Sequence, residues 1–389
     1  MPITRRHFGL AGAAAAAALA LPRAAFADDA VTIGYSGPLS GGAALYGKRC
    51  LTGIQMAADE INAAGGISVG GKSLKLTVKG YDDRYSPAEA ALNAKRLHQQ
   101  DGAAVVFVPH SGGIFAVQAF NQQEGFLLAA YSSVPSITER GNTLTLRIPP
   151  AYDNYVEPFV GYEMKRFGKK LAMAGGDHEY AKLWAKAIGP AWEKAGGTIV
   201  ASNPMSYNKD TDFYSGVSKV LAAGPEVMFI GGASEPTGLV IKQARELGFK
   251  GGFVIMDQAK LDEIARVTGG LDALDGAIGV LPVSYDESAP AQSFVKRYKA
   301  THQDAPSSEA ELNYIALYIV AEAMKKAGTT TDAKAIRTAC DATAKALTPE
   351  QNPGNVTGIG PHGGLISNAY AGAVENGKIV QVPLSGATH

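Results

Sequence analysis

The sequence predicts an α/β protein built as two similar lobes, each a mainly parallel sheet flanked by helices. Three observations carry this. From Asp28 onward, short β-rich runs alternate with amphipathic helical stretches, the pattern of successive βαβ units. The same order of elements recurs in the second half of the chain. Helices in both halves stop at glycine pairs, Gly65-Gly66 and Gly196-Gly197, because glycine accepts the left-handed conformation that ends a helix.

Taken in order, Val31–Ser36 reads as the first strand, followed by a Gly-rich turn. A helix over about 47–64 places Leu51, Ile54, Ala58 and Ile61 at helical spacing. Leu74, Leu76 and Val78 alternate as a half-buried strand. Ser86-Pro87-Ala88-Glu89 has the form of a capping box with proline at the first helical position. Apolar strands at Ala103–Val108 and Phe126–Tyr131 end at Pro109-His110-Ser111-Gly112-Gly113 and at Ser132-Ser133. The second series has strands at Lys170–Gly175, Thr198–Ser202, Val227–Gly231 and Gly252–Met256, with helices after His178 and Asp210. Helices around Ala289–His302, Ser308–Ala327 and Asp332–Ala346 then break the alternation. A Gly/Pro-rich segment over 353–364 and a hairpin turning at Asn376-Gly377 close the chain. The three helices are expected to return to the first lobe, and the hairpin to complete the second.

At about 150 residues per domain, 389 residues allow two or three domains. Hydrophobic residues make up 46%, which is ordinary for a globular chain and excludes a polytopic membrane protein. Lys plus Arg and Asp plus Glu each number 36, so no basic excess exists to bind DNA, RNA or anionic lipid. Cys50 and Cys340 are the only cysteines, too few for a disulfide scaffold or a Cys-rich metal site.

Residues 1–27 read as a cleaved export signal. Arg5-Arg6 precede an Ala-rich apolar run that ends at Ala25-Phe26-Ala27. The run is shorter than the roughly 20 residues a membrane-spanning helix needs. Paired arginines before Phe8 favour the twin-arginine route over general secretion. Removing this segment takes away three arginines and no acid, so the apparent neutrality belongs to the precursor. A soluble, extracytoplasmic mature chain is expected.

Two motifs are decoys. Gly42–Lys48 approaches the phosphate-loop pattern, but Arg49 stands where a Ser or Thr would hold Mg²⁺. Gly66-Ile67-Ser68-Val69-Gly70 fits the hydrolase nucleophile pattern, yet it leaves a helix and enters a strand, the reverse of a nucleophile elbow. The seven histidines form no close helical pair, so neither metal nor cofactor is expected.

The export signal, Val31–Tyr35, Ser36-Gly37-Pro38-Leu39 and the run from Met56 to Ile67 together resemble the solute-binding proteins of ABC importers, in the branched-chain amino-acid-binding family. Tyr81-Asp82-Asp83, Glu139-Arg140-Gly141, Phe294–Tyr298 and the closing hairpin extend the resemblance over essentially the whole mature chain. It implies a periplasmic-binding-protein type I fold with three crossing segments, near 147–150, 281–283 and 352–360. The first lobe would comprise 28–148 with 282–353, and the second 149–281 with 354–389. Solute would be held at the carboxyl ends of the strands as the lobes close.

Carried across residue by residue, the resemblance puts Ser111 where the family binds an amino acid's carboxylate, with Gly112 in place of a further hydroxyl. Ser132 and Ser133 match a second loop for the polar head, and Tyr180 an aromatic cover from the opposite lobe. Asp257 matches the acid that pairs with the α-ammonium. Ser234, Glu235, Tyr152, Asp153 and Tyr207 are secondary candidates. Tyr85 and His110 stand where the family often has a disulfide. Plainer roles remain for several of these: the serines and Asp257 as helix caps, Tyr180 as packing. The implied partners are a small amino acid or carboxylate and a membrane permease, with the receptor monomeric. A ligand sensor, a binder of an aromatic carboxylate or of a urea- or amide-like solute, and an exported enzyme are the competing readings.

Overall fold

A computed structural model describes residues 30–367 and 370–384, so the expected export signal at 1–27 lies outside the described residues. The first series comprises β1 (Ala30–Gly37), α1 (Ala44–Ala63), β2 (Ile67–Val69), β3 (Lys72–Asp82), α2 (Pro87–Gln99) and β4 (Val105–Val108). It continues with α3 (Ser111–Gln118), α4 (Asn121–Glu124), β5 (Leu127–Ala130), α5 (Ser136–Glu139) and β6 (Thr145–Arg147). The second comprises α6 (Asp153–Phe167), β7 (Lys170–Gly175), α7 (Glu179–Lys194), β8 (Thr198–Ser202), α8 (Tyr214–Leu221) and β9 (Val227–Gly231). After it come α9 (Ser234–Glu246), β10 (Gly252–Ile255), α10 (Leu261–Thr268) and β11 (Ala277–Val280). The chain ends with α11 (Ala289–Thr301), α12 (Ser308–Ala327), α13 (Ala333–Ala344), β12 (Val356–Ile359), β13 (Leu365–Ser367), β14 (Ala371–Glu375) and β15 (Lys378–Val382).

One sheet has the order β2-β3-β1-β4-β5-β6 and the other β8-β7-β9-β10-β11-β14-β15. Their shared part, β3-β1-β4-β5-β6 against β8-β7-β9-β10-β11, is one topology used twice, with the chain switching direction after β1 and after β7. The apolar runs β4 and β9 hold matching places in it. Each is buried along its whole length, as expected of central parallel strands covered on both faces.

Local chemistry explains the boundaries. Ser86 caps α2, its hydroxyl accepting from the Glu89 N–H at 3.4 Å, with Pro87 first in the helix. Asn376 and Gly377 both have positive φ, 50° and 69°, which the tight β14–β15 turn requires. Helix α12 is buried nearly all round and crosses α1 at Gly53, where a Cβ would stand 2.0 Å from the Ala310 carbonyl oxygen.

Helices α11, α12 and α13 share a core with β1, β4 and β5. The hairpin β12–β13 corrects the expected boundary at 353/354. Val356 and Leu365 join that first core, Gly364 bridges to Arg147 at the end of β6, and the chain reaches the second sheet only at β14. Pairing with an open edge of the first sheet holds the segment there. A second apolar cluster runs without a break from Ile114 and Val134 to Tyr152, Trp184 and Phe229, so the two lobes are packed together.

Candidate functional site

Most groups at the site sit just beyond the carboxyl end of a parallel strand. From the first lobe come Tyr85 after β3, His110 and Ser111 after β4, and Tyr131, Ser132 and Ser133 after β5. From the second come Tyr180 at the start of α7, and Asp257 and Gln258 after β10. Together with Tyr46, Pro109 and Pro149 they line a chamber between the lobes with about 20 Å³ of free space. That is room for about one water, far below the ~300–1,000 Å³ of typical small-molecule pockets, so the lobes must part to admit a solute.

A chain of hydroxyls runs through the chamber. Ser111 Oγ lies 2.7 Å from Ser132 Oγ, and Ser133 Oγ lies 2.7 Å from the Tyr180 hydroxyl across the cleft. The Tyr180 hydroxyl also hydrogen-bonds to the Asp257 carboxylate. Trp184 Nε1 donates to both, at 2.9 and 3.2 Å. Burial raises the Asp257 pKa to about 6, against the opposing pull of Lys260 and the Ser133 hydroxyl.

His110, not Ser111, caps α3. Its Nδ1 accepts from the Gly113 N–H at 3.0 Å, which leaves Nε2 to donate to Asp83 at 3.0 Å. The ring is thus held at both nitrogens, and Ser111 is free to face the chamber. Asp83 also accepts from the Ser36 hydroxyl and the Tyr85 N–H. The turn it fixes gives Tyr85 a positive φ of 63° and stacks its ring on His110, with centroids 4.6 Å apart. Gln258 Nε2 then donates to the Tyr85 hydroxyl across the cleft, at 3.1 Å. Asp257 caps no helix either, since the residue at the head of α10 is Lys260.

Beside the chamber, two buried ion pairs also join the lobes. Lys260 Nζ lies 2.8 Å from Glu309 of α12, and Arg49 of α1 lies 3.4 Å from Glu263 of α10. Burial lifts the Glu263 carboxyl to about 7, with Glu309 adding to the rise.

Six candidate residues stand elsewhere. Ser234 donates to Glu263 at 2.7 Å and, with exposed Glu235, borders a separate surface pocket. Tyr152 packs behind Trp184, with ring centroids 4.9 Å apart. Tyr207 is fully buried, its hydroxyl on the Ala174 carbonyl at 2.8 Å. Gly112 faces Pro87, where a Cβ would meet the proline ring at 2.9 Å. Asp153 lies in the first turn of α6. Conversely, Tyr46, Tyr131, Pro149 and Gln258 line the chamber without having been singled out. Tyr131 and Gln258 directly follow or adjoin loops that were recognised. Tyr46 was hidden inside the phosphate-loop decoy, and its hydroxyl donates to the Pro109 carbonyl at 2.5 Å.

Residues 30–378 match the family model described as periplasmic binding protein. The chain belongs to that family. A Pseudomonas aeruginosa leucine-, isoleucine-, valine-, threonine- and alanine-binding protein is 28% identical over 305 residues, covering 78% of this chain and 80% of the relative. Among solved structures, a Streptococcus pneumoniae branched-chain amino-acid transporter substrate-binding protein in complex with isoleucine superposes with a TM-score of 0.75. It is 24% identical, with 91% of this chain and all of the other covered (100%). A Rhodopseudomonas palustris ABC-transporter solute-binding protein in complex with benzoate gives a TM-score of 0.77 at 20% identity, covering 91% and 96%. The two-lobed fold is that of the type I periplasmic binding proteins. No helix among the described residues is long and apolar enough to cross a membrane.

Proposed function

We propose that this periplasmic binding protein is the solute receptor of an ABC importer, closing its lobes on a small amino acid and passing it to a membrane permease. One observation carries the reading: donors and an acceptor of opposite character face each other across a single small chamber. Ser111, Ser132 and the first N–H groups of α3 offer donors to a carboxylate. Asp257 of the other lobe offers a carboxylate to an ammonium. Only a closed molecule presents both at once, so a zwitterion shifts the population toward closure. Export by the segment over 1–27 would place the receptor in the periplasm.

Mass spectrometry of solute retained through purification, followed by thermal-shift screening, tests the reading. We expect an α-amino acid to raise the unfolding midpoint. A rise produced by a benzoate-like acid and by no amine would overturn it. A deletion strain with normal uptake but altered solute sensing would instead assign the receptor to signalling.

A further inference from the structure

We infer that the Tyr85–Gln258 end of the chamber is a polar subsite, and that the solute is an amino acid whose side chain carries an amide, hydroxyl or ureido group rather than a branched aliphatic chain. The inference rests on the amino-acid reading above and adds the class of side chain to it.

Gln258 is the informative residue. It is 4% exposed and lines the chamber, and its Nε2 is spent on the Tyr85 hydroxyl at 3.1 Å. Its Oε1 is buried with no hydrogen-bond partner among the described residues. Turning the amide over does not help, because the Tyr85 hydroxyl can then donate to Oε1 and Nε2 becomes the atom left over. One polar atom of this amide stays unpaired whichever way it points.

Two of the neighbouring groups are already committed. Both ring nitrogens of His110 are engaged, by Asp83 and by Gly113, and the Tyr46 hydroxyl is committed to Pro109. The chamber wall has apolar faces from the rings of Tyr46, Tyr85, Tyr131 and Tyr180, but it carries no aliphatic side chain. Apart from Pro109 and Pro149, every lining residue carries a polar group, and no Leu, Ile, Val, Phe or Met is among them. Buried polar groups in folded proteins are paired almost without exception, so the missing partner is expected on the occupant. Sealing the lobes over leucine would leave the Gln258 amide unpaired. Sealing them over asparagine, of nearly the same shape, would pair it.

Isosteric pairs provide the test. Calorimetric titration of the purified mature protein should give asparagine at least about tenfold tighter binding than leucine, and threonine tighter than valine, the scale set by one unpaired buried group. Gln258→Leu should level or invert both ratios, and because each is a ratio within one protein, any general loss of closure from the missing Tyr85 contact cancels. Leucine binding as tightly as asparagine to the wild-type protein would overturn the subsite alone, including the case in which a trapped water satisfies Gln258. The wild-type ratios need no variant, so poor folding of Gln258→Leu would not blunt the test. If no α-amino acid binds at all, the amino-acid reading fails first and the subsite with it.

Discussion

Asp257 and Glu163 are both carboxyls that burial pushes toward neutrality, but with opposite consequences. The Asp257 pKa of about 6 means that the group loses its charge as pH falls through 6. Affinity for an α-amino solute should therefore be flat above about pH 7 and decline below 6, where the ammonium loses its partner. Asp257→Asn should weaken that solute roughly ten- to a hundredfold, the value of a charge-assisted hydrogen bond, and abolish the decline. Titration at pH 5 and 8 checks both. Glu163 on α6 is wholly buried against Gly252, with neither oxygen hydrogen-bonded among the described residues, and desolvation raises its pKa well above the ordinary range. The folded state thus binds a proton that the unfolded chain has released once pH exceeds about 4.3. Stability must fall as pH rises from there toward the folded pKa. Glu163→Met should remove this pH dependence and raise the unfolding free energy near neutrality by about 1–3 kcal/mol, read by denaturant unfolding. The position of the serines and Asp257 just past strand ends was legible in the sequence, because strand ends and their loops are. The unpaired amide of Gln258 was not, because its one partner is 173 residues away.

Helices and strands were the most legible level, since each rests on local periodicity and capping. Their ends were less so. The sequence offered Ser111 as a cap, but His110 reaches the Gly113 N–H because Asp83, far off in sequence, holds its other nitrogen. Contacts between elements are where glycine carries a cost that periodicity hides. At Gly53 the α1–α12 crossing brings backbone to backbone, and a methyl group would meet the Ala310 carbonyl oxygen at 2.0 Å. Gly53→Ala should consequently destabilise the protein by at least about 1–3 kcal/mol, the usual cost of overpacking, despite alanine's better helix propensity. Thermal unfolding would show this, and a neutral or stabilising result would mean that the two helices can separate without loss.

Across the whole molecule, the twofold use of one sheet order followed from the repeated strand–helix alternation. The hairpin over 356–367 did not, because its attachment to β6 is a pairing between distant segments. The two buried interlobe ion pairs were equally invisible, each joining residues that periodicity alone would place on separate surfaces. Glu309→Gln leaves the Lys260 ammonium buried without its counterion, a situation that costs about 3–5 kcal/mol and that separation of the lobes relieves. Small-angle scattering of the solute-free variant should show a larger radius of gyration than wild type, with solute affinity reduced in parallel. An unchanged radius would mean that the pair stabilises the lobes but does not hold them together.

The chamber between the lobes would also govern time. A solute held between Tyr85 and Gln258 on one side and Tyr180 and Ser133 on the other would leave by lobe opening only as these cross-lobe contacts break. By that route its escape rate would be capped by how often the protein itself comes apart, whatever the quality of fit inside. Weak and strong solutes would differ chiefly in how long they hold the molecule shut, and a permease that prises the lobes apart would be acting on the slowest step in the cargo's residence.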